Sequence, residues 1–471
     1  MGLPVVIAGL SPHPPIVVPE VGRGEETKAS STGDALRRLG EVFSKASAET
    51  LVLITPHGPV FSDAVSIRSQ KRLRGDLASF GAGQVKVDFP NDAGLVEAIQ
   101  REAAKDPAVP LALLDDRKID RYGADKDLDH GVVVPLHFIA KGGFSGNLVV
   151  VNIGFLSLFD LYRFGAAIER AAFLLDRKIA VLASGDLSHR LMPGAPAGYN
   201  PRGKDFDAKV VDLLKRFQPG EAVLFPADLA EDAGECGLRP IVMMLGTLDN
   251  YQVRSEVLSY EGPFGVGYGV VLLRPGQRDQ SASRLGSIKD GRTGRMSSIR
   301  SHESFAVSLA RATVERYVRS GQIEPAPHEV PDEFRKRAGV FVSIHKEGML
   351  RGCIGTTEAT KSRAADEIVA NAISASTQDP RFDTVEKDEL SLLDYSVDVL
   401  SESELVKSES ELDPRTYGVI VEKGGRRGLL LPDLPGVDTT GEQVRIAKEK
   451  AGIGPSDKGV SLARFTVTRY H

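Results

Sequence analysis

Five short apolar runs in the N-terminal part of the chain constrain its fold more than any other feature. They are residues 5–8, 50–54, 148–151, 179–183 and 266–273. The runs contain almost no polar residues, which is typical of strands buried on both faces of a sheet. Segments with apolar residues at helical spacing separate them, at residues 34–46, 94–104, 159–175 and 205–217. The alternation predicts a layered α/β domain over residues 1–275, with a mixed or largely parallel sheet.

Three of these runs end just before a histidine, at His13, His57 and His189. In α/β sheets the functional crevice lies outside the carboxyl ends of the strands, so we expect the three imidazoles to meet there. His130, between an aspartate and a glycine, is a fourth candidate. One histidine after a strand is usually structural, but several after neighbouring strands favour a shared site.

The residue types of this group point to a metal centre. Imidazoles with a carboxylate and open positions are the ligand set of non-haem Fe(II) oxygenases, and histidine-rich sites with a vacant position also suit zinc hydrolases. Glu235 is the carboxylate candidate, and Cys236 beside it would supply a soft thiolate instead. Acidic residues at this place, just before a helix-like run at residues 240–248, can also be ordinary helix-start residues.

Four motifs together resemble those of the class III extradiol ring-cleaving dioxygenases, called LigB-like, and of their non-dioxygenase relatives called Memo. The motifs are Pro12-His-Pro-Pro15, Thr55-Pro-His-Gly58, Asp129-His-Gly131 and Ser184-Gly-Asp-Leu-Ser-His189. The resemblance covers about residues 4–274. It implies a small aromatic or related substrate and Fe(II), with zinc or copper as alternatives.

The same resemblance implies a role for each histidine. His13 and His57 would hold the metal, His189 would act as the acid/base residue, and His130 would help to position substrate or oxygen. Dioxygenases of the family use a late glutamate as the third ligand, whereas Memo proteins place a cysteine in a Cys-Gly-Arg-His-Pro context. This chain has Glu235-Cys-Gly-Leu-Arg-Pro240, so Glu235 and Cys236 both remain candidates.

The C-terminal part of the chain has a different pattern. Residues 276–301 are polar, basic and rich in glycine and serine, which is typical of a linker. Residues 302–471 predict a smaller α+β domain. Its predicted helices are residues 305–318, 363–376 and 441–451, its hairpins turn at 346–348 and 423–425, and further strands lie at 395–400 and 463–469.

The C-terminal domain resembles the AMMECR family through Leu350-Arg-Gly-Cys-Ile-Gly355 and Ala375-Ser-Thr-Gln-Asp-Pro-Arg-Phe382. Its candidate site residues are Cys353, Arg351, Asp379 and Arg381. A structural interpretation stays open, with Cys353 as a small buried thiol and Arg381 paired to an acid. The order of the two domains is similar to the fused form of the AmmeMemoRadiSam system, which implies a radical SAM protein as partner. Two isolated cysteines cannot hold an iron–sulfur cluster, so any cluster would belong to that partner.

Composition narrows the remaining choices. A net charge of -5 gives no reason to expect a nucleic-acid binder. No apolar run approaches the length of a membrane span and no secretory signal is evident, so we expect a cytoplasmic protein. Three hypotheses follow: an extradiol-dioxygenase-like oxidoreductase, a Memo-like redox or accessory protein, and an interaction scaffold with a vestigial metal pocket.

Overall fold

The computed structural model describes residues 3–434 and 436–471. The chain forms two compact units, Met1–Arg292 and Thr293–His471. The predicted linker region therefore contains the boundary between them. Strand β10, Tyr268–Arg278, continues into this region, and helix α11, Leu285–Ser301, follows. The helix is polar, and Ile288 is its buried residue, packed into the core of the first unit.

The strands of the first unit coincide with the apolar runs and add several that are less apolar. They are β1 Val5–Ser11, β2 Thr50–Thr55, β3 Val65–Arg68, β4 Arg72–Leu77, β5 Ala82–Pro90, β6 Leu111–Leu114, β7 Asn147–Asn152, β8 Ile179–Ser184, β9 Tyr251–Glu261 and β10 Tyr268–Arg278. Eight of them form one sheet in the order β6-β3-β7-β2-β8-β1-β10-β9, and β4 and β5 form a separate two-stranded ribbon. The central strands β7, β2, β8 and β1 are parallel, whereas β9 and β10 are antiparallel. The predicted mixed α/β sheet is confirmed.

Both faces of this sheet are buried, as the unbroken apolar runs predict. In β8, Ile179, Val181 and Ala183 face one core, and Ala180 and Leu182 face the other. The helices that cover the sheet, with shorter ones between them, are α1 Pro19–Gly22, α2 Ser30–Lys45, α3 Ala93–Ala103, α4 Asp116–Arg121, α5 His130–Lys141, α6 Leu158–Leu174, α7 Arg202–Arg216, α8 Pro219–Val223, α9 Ala227–Ala233 and α10 Leu238–Gly246. None of the described helices is long and apolar enough to cross a membrane.

The second unit is α+β, as predicted. Its helices are α12 Phe305–Ser320, α13 Asp332–Arg335, α14 Ala364–Thr377 and α15 Thr440–Lys450. Its strands are β11 Val340–Lys346, β12 Met349–Thr356, β13 Leu393–Leu400, β14 Glu404–Val406, β15 Gly418–Lys423, β16 Arg426–Leu430, β17 Ser461–Phe465 and β18 Val467–Tyr470. They form two four-stranded sheets, β12-β11-β13-β18 and β14-β17-β15-β16.

The prediction of one final strand over residues 463–469 is wrong. Strands β17 and β18 belong to different sheets. Thr466 between them has left both ladders, because its backbone N–H donates to the Ser401 hydroxyl and its carbonyl accepts the Ser401 N–H. The chain therefore passes from one sheet to the other at Thr466, a step that the alternation of apolar residues does not reveal.

Candidate metal centre

The sheet brings three of the predicted site residues to one edge. Strand β8 lies between β1 and β2, all three run parallel, and Ser184 at the end of β8 pairs with Ser11 at the end of β1. His13 and His57 follow their strands by two residues. His189 follows β8 by five residues, so that it reaches the same edge from a longer loop.

His13, His57 and His130 form a compact cluster. Their candidate ligand atoms all lie within 4.8 Å of one another. The Nε2 atoms of His13 and His57 are 3.1 Å apart, a spacing compatible with two imidazoles on one ion at about 2.0–2.1 Å each. His13 is only 3% exposed, and the other two are partly buried. The structure thus places His130 beside the pair that the sequence predicts as ligands.

His130 enters the cluster because a helix begins there. It is the first residue of α5, and the Asp129 side chain caps that helix by accepting the backbone N–H of Gly131 at 2.7 Å. The absence of a side chain at Gly131 makes room for the cluster, since a Cβ there would lie 2.6 Å from Cδ2 of His57. The signal for this helix start is an aspartate N-cap before an apolar run.

A hydrogen-bond chain fixes the His13 ring. Ser184 Oγ lies 2.9 Å from His13 Nδ1, and the Ser184 hydroxyl donates to the carbonyl of Gly131. A hydroxyl has only one hydrogen, so Ser184 accepts from Nδ1–H and the lone pair of His13 stays on Nε2. The Gly131 carbonyl is open to Ser184 because Pro135, four residues later in α5, has no N–H to donate.

Burial keeps the imidazoles in the form that binds a metal. It lowers the pKa of His13 to about 4, and the neighbouring His57 and His130 add to this, although Asp186 opposes them. Burial also lowers the pKa of His130, and His57 acts in the same direction. The lowered pKa values favour the neutral form of both rings, and neutral imidazole is the ligand form of histidine.

The third-ligand candidates occupy different environments. Cys236 Sγ lies 3.7 Å from His13 Nε2, whereas the Glu235 carboxylate accepts the backbone N–H of Leu238 at 2.6 Å, beside the start of α10. Two glycines permit this placement of Cys236, because a Cβ on Gly185 would lie only 2.4 Å from Cα of Gly237. Cys236 therefore contacts the histidine cluster directly, whereas the Glu235 carboxylate is engaged by the backbone at the start of α10. Burial, reinforced by nearby carboxylates, raises the pKa of its thiol.

Asp186 lies at the centre of the site, although its sequence context alone predicts no role for it. Its Oδ1 accepts the backbone N–H of His13 at 2.9 Å. Its Oδ2 lies 3.9 Å from Nε2 of both His13 and His189. Burial alone would raise the pKa of Asp186, but the contacts with His13, including its backbone N–H, and with His189 outweigh it and hold the pKa below its usual value. The feature of the sequence that could have pointed to Asp186 is its position in the turn directly after β8.

His189 is held as a proton acceptor facing Asp186. Its Nδ1 lies 2.6 Å from the carbonyl of Gly234, so Nδ1 carries the proton and Nε2 is left with its lone pair. Burial alone would lower the pKa of His189, but the contacts with Asp186 and Gly234 outweigh it and raise the pKa. These contacts favour the protonated ring and so suit a group that takes up a proton and later returns it.

A second buried carboxylate supports the loop that carries His189. Asp207, on α7, accepts the backbone N–H of Ser188 at 2.8 Å and the phenol of Tyr260 at 2.7 Å. Burial raises the pKa of Asp207 to about 7, although both hydrogen bonds oppose the rise. Sequence reasoning missed this residue because its partners are distant in the chain.

The candidate residues of the second unit also lie close together. Cys353, on β12, is half-buried, and its Sγ accepts the hydroxyl of Ser343 on the neighbouring strand at 3.2 Å. The Asp379 carboxylate accepts the backbone N–H of Cys353 at 2.9 Å and pairs with Arg381 at 2.7 Å. The ion pair that the structural interpretation of Arg381 requires is therefore present.

Arg351 points to a different partner. Its guanidinium binds both carboxylate oxygens of Glu389, at 3.0 and 2.9 Å, and donates to the carbonyl of Asp383. Lys346 reaches the same carboxylate at 2.9 Å. Arg351 thus links β12 to the segment before β13. Its partner Glu389 lies outside the motifs that predicted the candidate site residues.

The fold and the histidine cluster agree with a known family. The chain belongs, over residues 8–271, to the family described as the catalytic LigB subunit of aromatic ring-opening dioxygenase. Residues 307–470 match the AMMECR1 family. The predicted order of a LigB-like domain followed by an AMMECR domain is therefore confirmed.

Several proteins are similar to this chain over all or part of its length. A protein of Clostridium acetobutylicum is 40% identical over 463 residues, 98% of this chain and 98% of that protein. A protein of Thermotoga maritima is 56% identical over 166 residues, 35% of this chain and 95% of that protein. A crystal structure from Pyrococcus horikoshii matches 35% of this chain and 88% of its own, with 30% identity and a TM-score of 0.33.

Proposed function

We propose that the N-terminal unit binds one Fe(II) ion and cleaves the ring of a small aromatic diol with oxygen. The observation that carries the proposal is the cluster of His13, His57 and His130, whose ligand atoms lie within 4.8 Å of one another. Membership of the LigB family supports the substrate class. Fe(II), when bound, would bring a chelated diol and oxygen into contact.

The donor set fits such an ion. His13 and His57 would hold it through Nε2 atoms that are 3.1 Å apart, and His13 has its lone pair directed by Ser184. His130 would complete the set or contact the substrate, as its place in the cluster allows. Imidazole nitrogens suit iron, zinc and copper alike, so the donor types alone do not select the metal.

His189 would move the proton in this reaction. Its Nε2 lone pair can accept a proton from a substrate hydroxyl, and Asp186, with Oδ2 at 3.9 Å, stabilises the resulting imidazolium. Asp186 also binds the backbone N–H of His13. It therefore keeps the proton acceptor and the metal ligand at a fixed distance from each other.

Oxygen uptake tests the proposal. Protein prepared without oxygen, loaded with Fe(II) and mixed with a panel of catechols should consume one O2 per diol and give a yellow ring-opened product. His189→Ala should abolish turnover and retain the iron. Loss of iron from that variant would contradict the acid/base assignment, and failure of the wild type to bind Fe(II) would favour the scaffold hypothesis.

A second candidate function follows from Cys236. Its sulfur lies 3.7 Å from His13 Nε2, and a thiolate with imidazoles suits copper or zinc better than a ring-cleaving iron site. In that case the unit would be a Memo-like redox or accessory component, with a radical SAM protein as its partner. Metal bound without any catechol-dependent oxygen uptake, and lost in Cys236→Ser, would favour this second function.

A further inference from the structure

An exposed aromatic ring stands beside the histidine cluster without belonging to it. Phe80 lies in the turn between β4 and β5, and its ring centroid is 5.4 Å from that of His130, with 65° between the ring planes. Phe80 is 39% exposed, although it is a large apolar residue. The His130 ring in turn lies 4.5 Å from that of His57.

The strand that leads to Phe80 packs against the segment that leads to His130. Gly75, on β4, bridges to Leu128, two residues before His130, and the N–H of Leu128 donates to the carbonyl of Arg74 at 2.6 Å. A Cβ on Gly75 would lie 2.4 Å from the Leu128 carbonyl, so the ribbon packs closely against this segment. Phe80 and His130 thus follow two segments that are hydrogen-bonded to each other, which brings the two rings near one another.

We propose that Phe80 forms an aromatic wall of the substrate pocket and selects planar rings over saturated ones. The proposal rests on the proposed function, because it takes the metal cluster as the place where the substrate binds. A planar ring gains contact area and a favourable edge or stacking geometry against phenylalanine, whereas a puckered ring of the same size gains less. Apolar walls around a few polar groups are the usual construction of small-molecule sites.

Two vicinal diols distinguish the wall from general binding. Catechol and cyclohexane-1,2-diol have six-membered rings, and only catechol is planar. With Fe(II)-loaded protein under anoxic conditions, Phe80→Ala should weaken catechol binding about tenfold and leave the saturated diol within twofold. Phe80→Leu keeps the apolar volume and should weaken catechol nearly as much. Equal losses for both diols, or an unchanged catechol affinity, would overturn the proposal.

A fluorescence readout separates this proposal from the proposed function. The chain contains no tryptophan, so Phe80→Trp introduces a single indole emitter, and catechol should change its emission even in metal-free protein. Tyr122→Trp is the matched control, because Tyr122 is 54% exposed and contacts Phe61 rather than the histidines; its emission should not respond. If iron binding or oxygen uptake fails while Phe80→Trp responds, only the proposed function is contradicted. If Phe80→Trp is silent while oxygen uptake occurs, the wall is contradicted.

Discussion

Replacing Ser184 by alanine should weaken metal binding and the fold together. The Ser184 hydroxyl accepts from His13 Nδ1 at 2.9 Å and donates to the Gly131 carbonyl, and all three groups are buried. Pro135 cannot replace the lost donor to Gly131, because it has no N–H. Ser184→Ala therefore leaves two buried polar groups without partners, at roughly 1–3 kcal/mol each, or about 2–6 kcal/mol in the free energy of unfolding.

The same change should lower the affinity for Fe(II) by about 10- to 100-fold, as is typical when the outer partner of a metal-ligating histidine is removed. Without Ser184, His13 can adopt either tautomer, and one of them places the proton on the ligating Nε2. Urea unfolding of the metal-free protein measures the first effect, and anoxic titration against a competing chelator measures the second.

Thr247→Val is a matched control in the same unit. Thr247 is fully buried and its hydroxyl donates to the Met244 carbonyl at 2.7 Å, but that carbonyl also accepts the Thr247 N–H. The control should cost about 1 kcal/mol and leave Fe(II) affinity unchanged. An Fe(II) affinity of Ser184→Ala within twofold of wild type would show that Ser184 does not orient the His13 ring for metal binding.

Further substitutions test other contacts of the site. Gly131→Ala should weaken Fe(II) binding because its Cβ would meet His57 at 2.6 Å. Gly94→Ala, also at the second residue of a helix, should stabilise the fold by about 0.5–1 kcal/mol and leave Fe(II) binding unchanged. Equal Fe(II) affinities of the two variants would contradict this prediction. Asp207 has a pKa of about 7 in the folded chain and an ordinary value in the unfolded chain, so the folded chain holds the extra proton. The free energy of unfolding should therefore fall as the pH rises from about 4 to 7, by up to about 4 kcal/mol. Asp207→Asn should remove that decline, and parallel stability curves of variant and wild type would refute it. Glu235→Ala should cost about 1 kcal/mol through the lost contact to Leu238 and keep the metal; metal loss on chelator titration would restore Glu235 as a ligand.

Residues close in sequence carried the information about the architecture. The unbroken apolar runs are sufficient to predict strands buried on both faces, since only a sheet covered by helices on each side can bury them. The turns at Glu347-Gly348 and Gly424-Gly425 were equally predictable from their glycines, because glycine adopts without strain the positive φ that these glycines have in the structure. The strand break at Thr466 was not predictable, because it depends on hydrogen bonds to Ser401, which is distant in the chain.

The sequence by itself determined that His13, His57 and His189 would share one edge, because parallel strands end on the same side of a sheet. Only the tertiary structure decided which groups join them. His130 arrives from a helix start, Cys236 through the contact of Gly185 with Gly237, and Asp186 by its position between two imidazoles. Local sequence cannot specify which of these side chains come near the histidines, because their distances depend on the packing of segments that are distant in the chain.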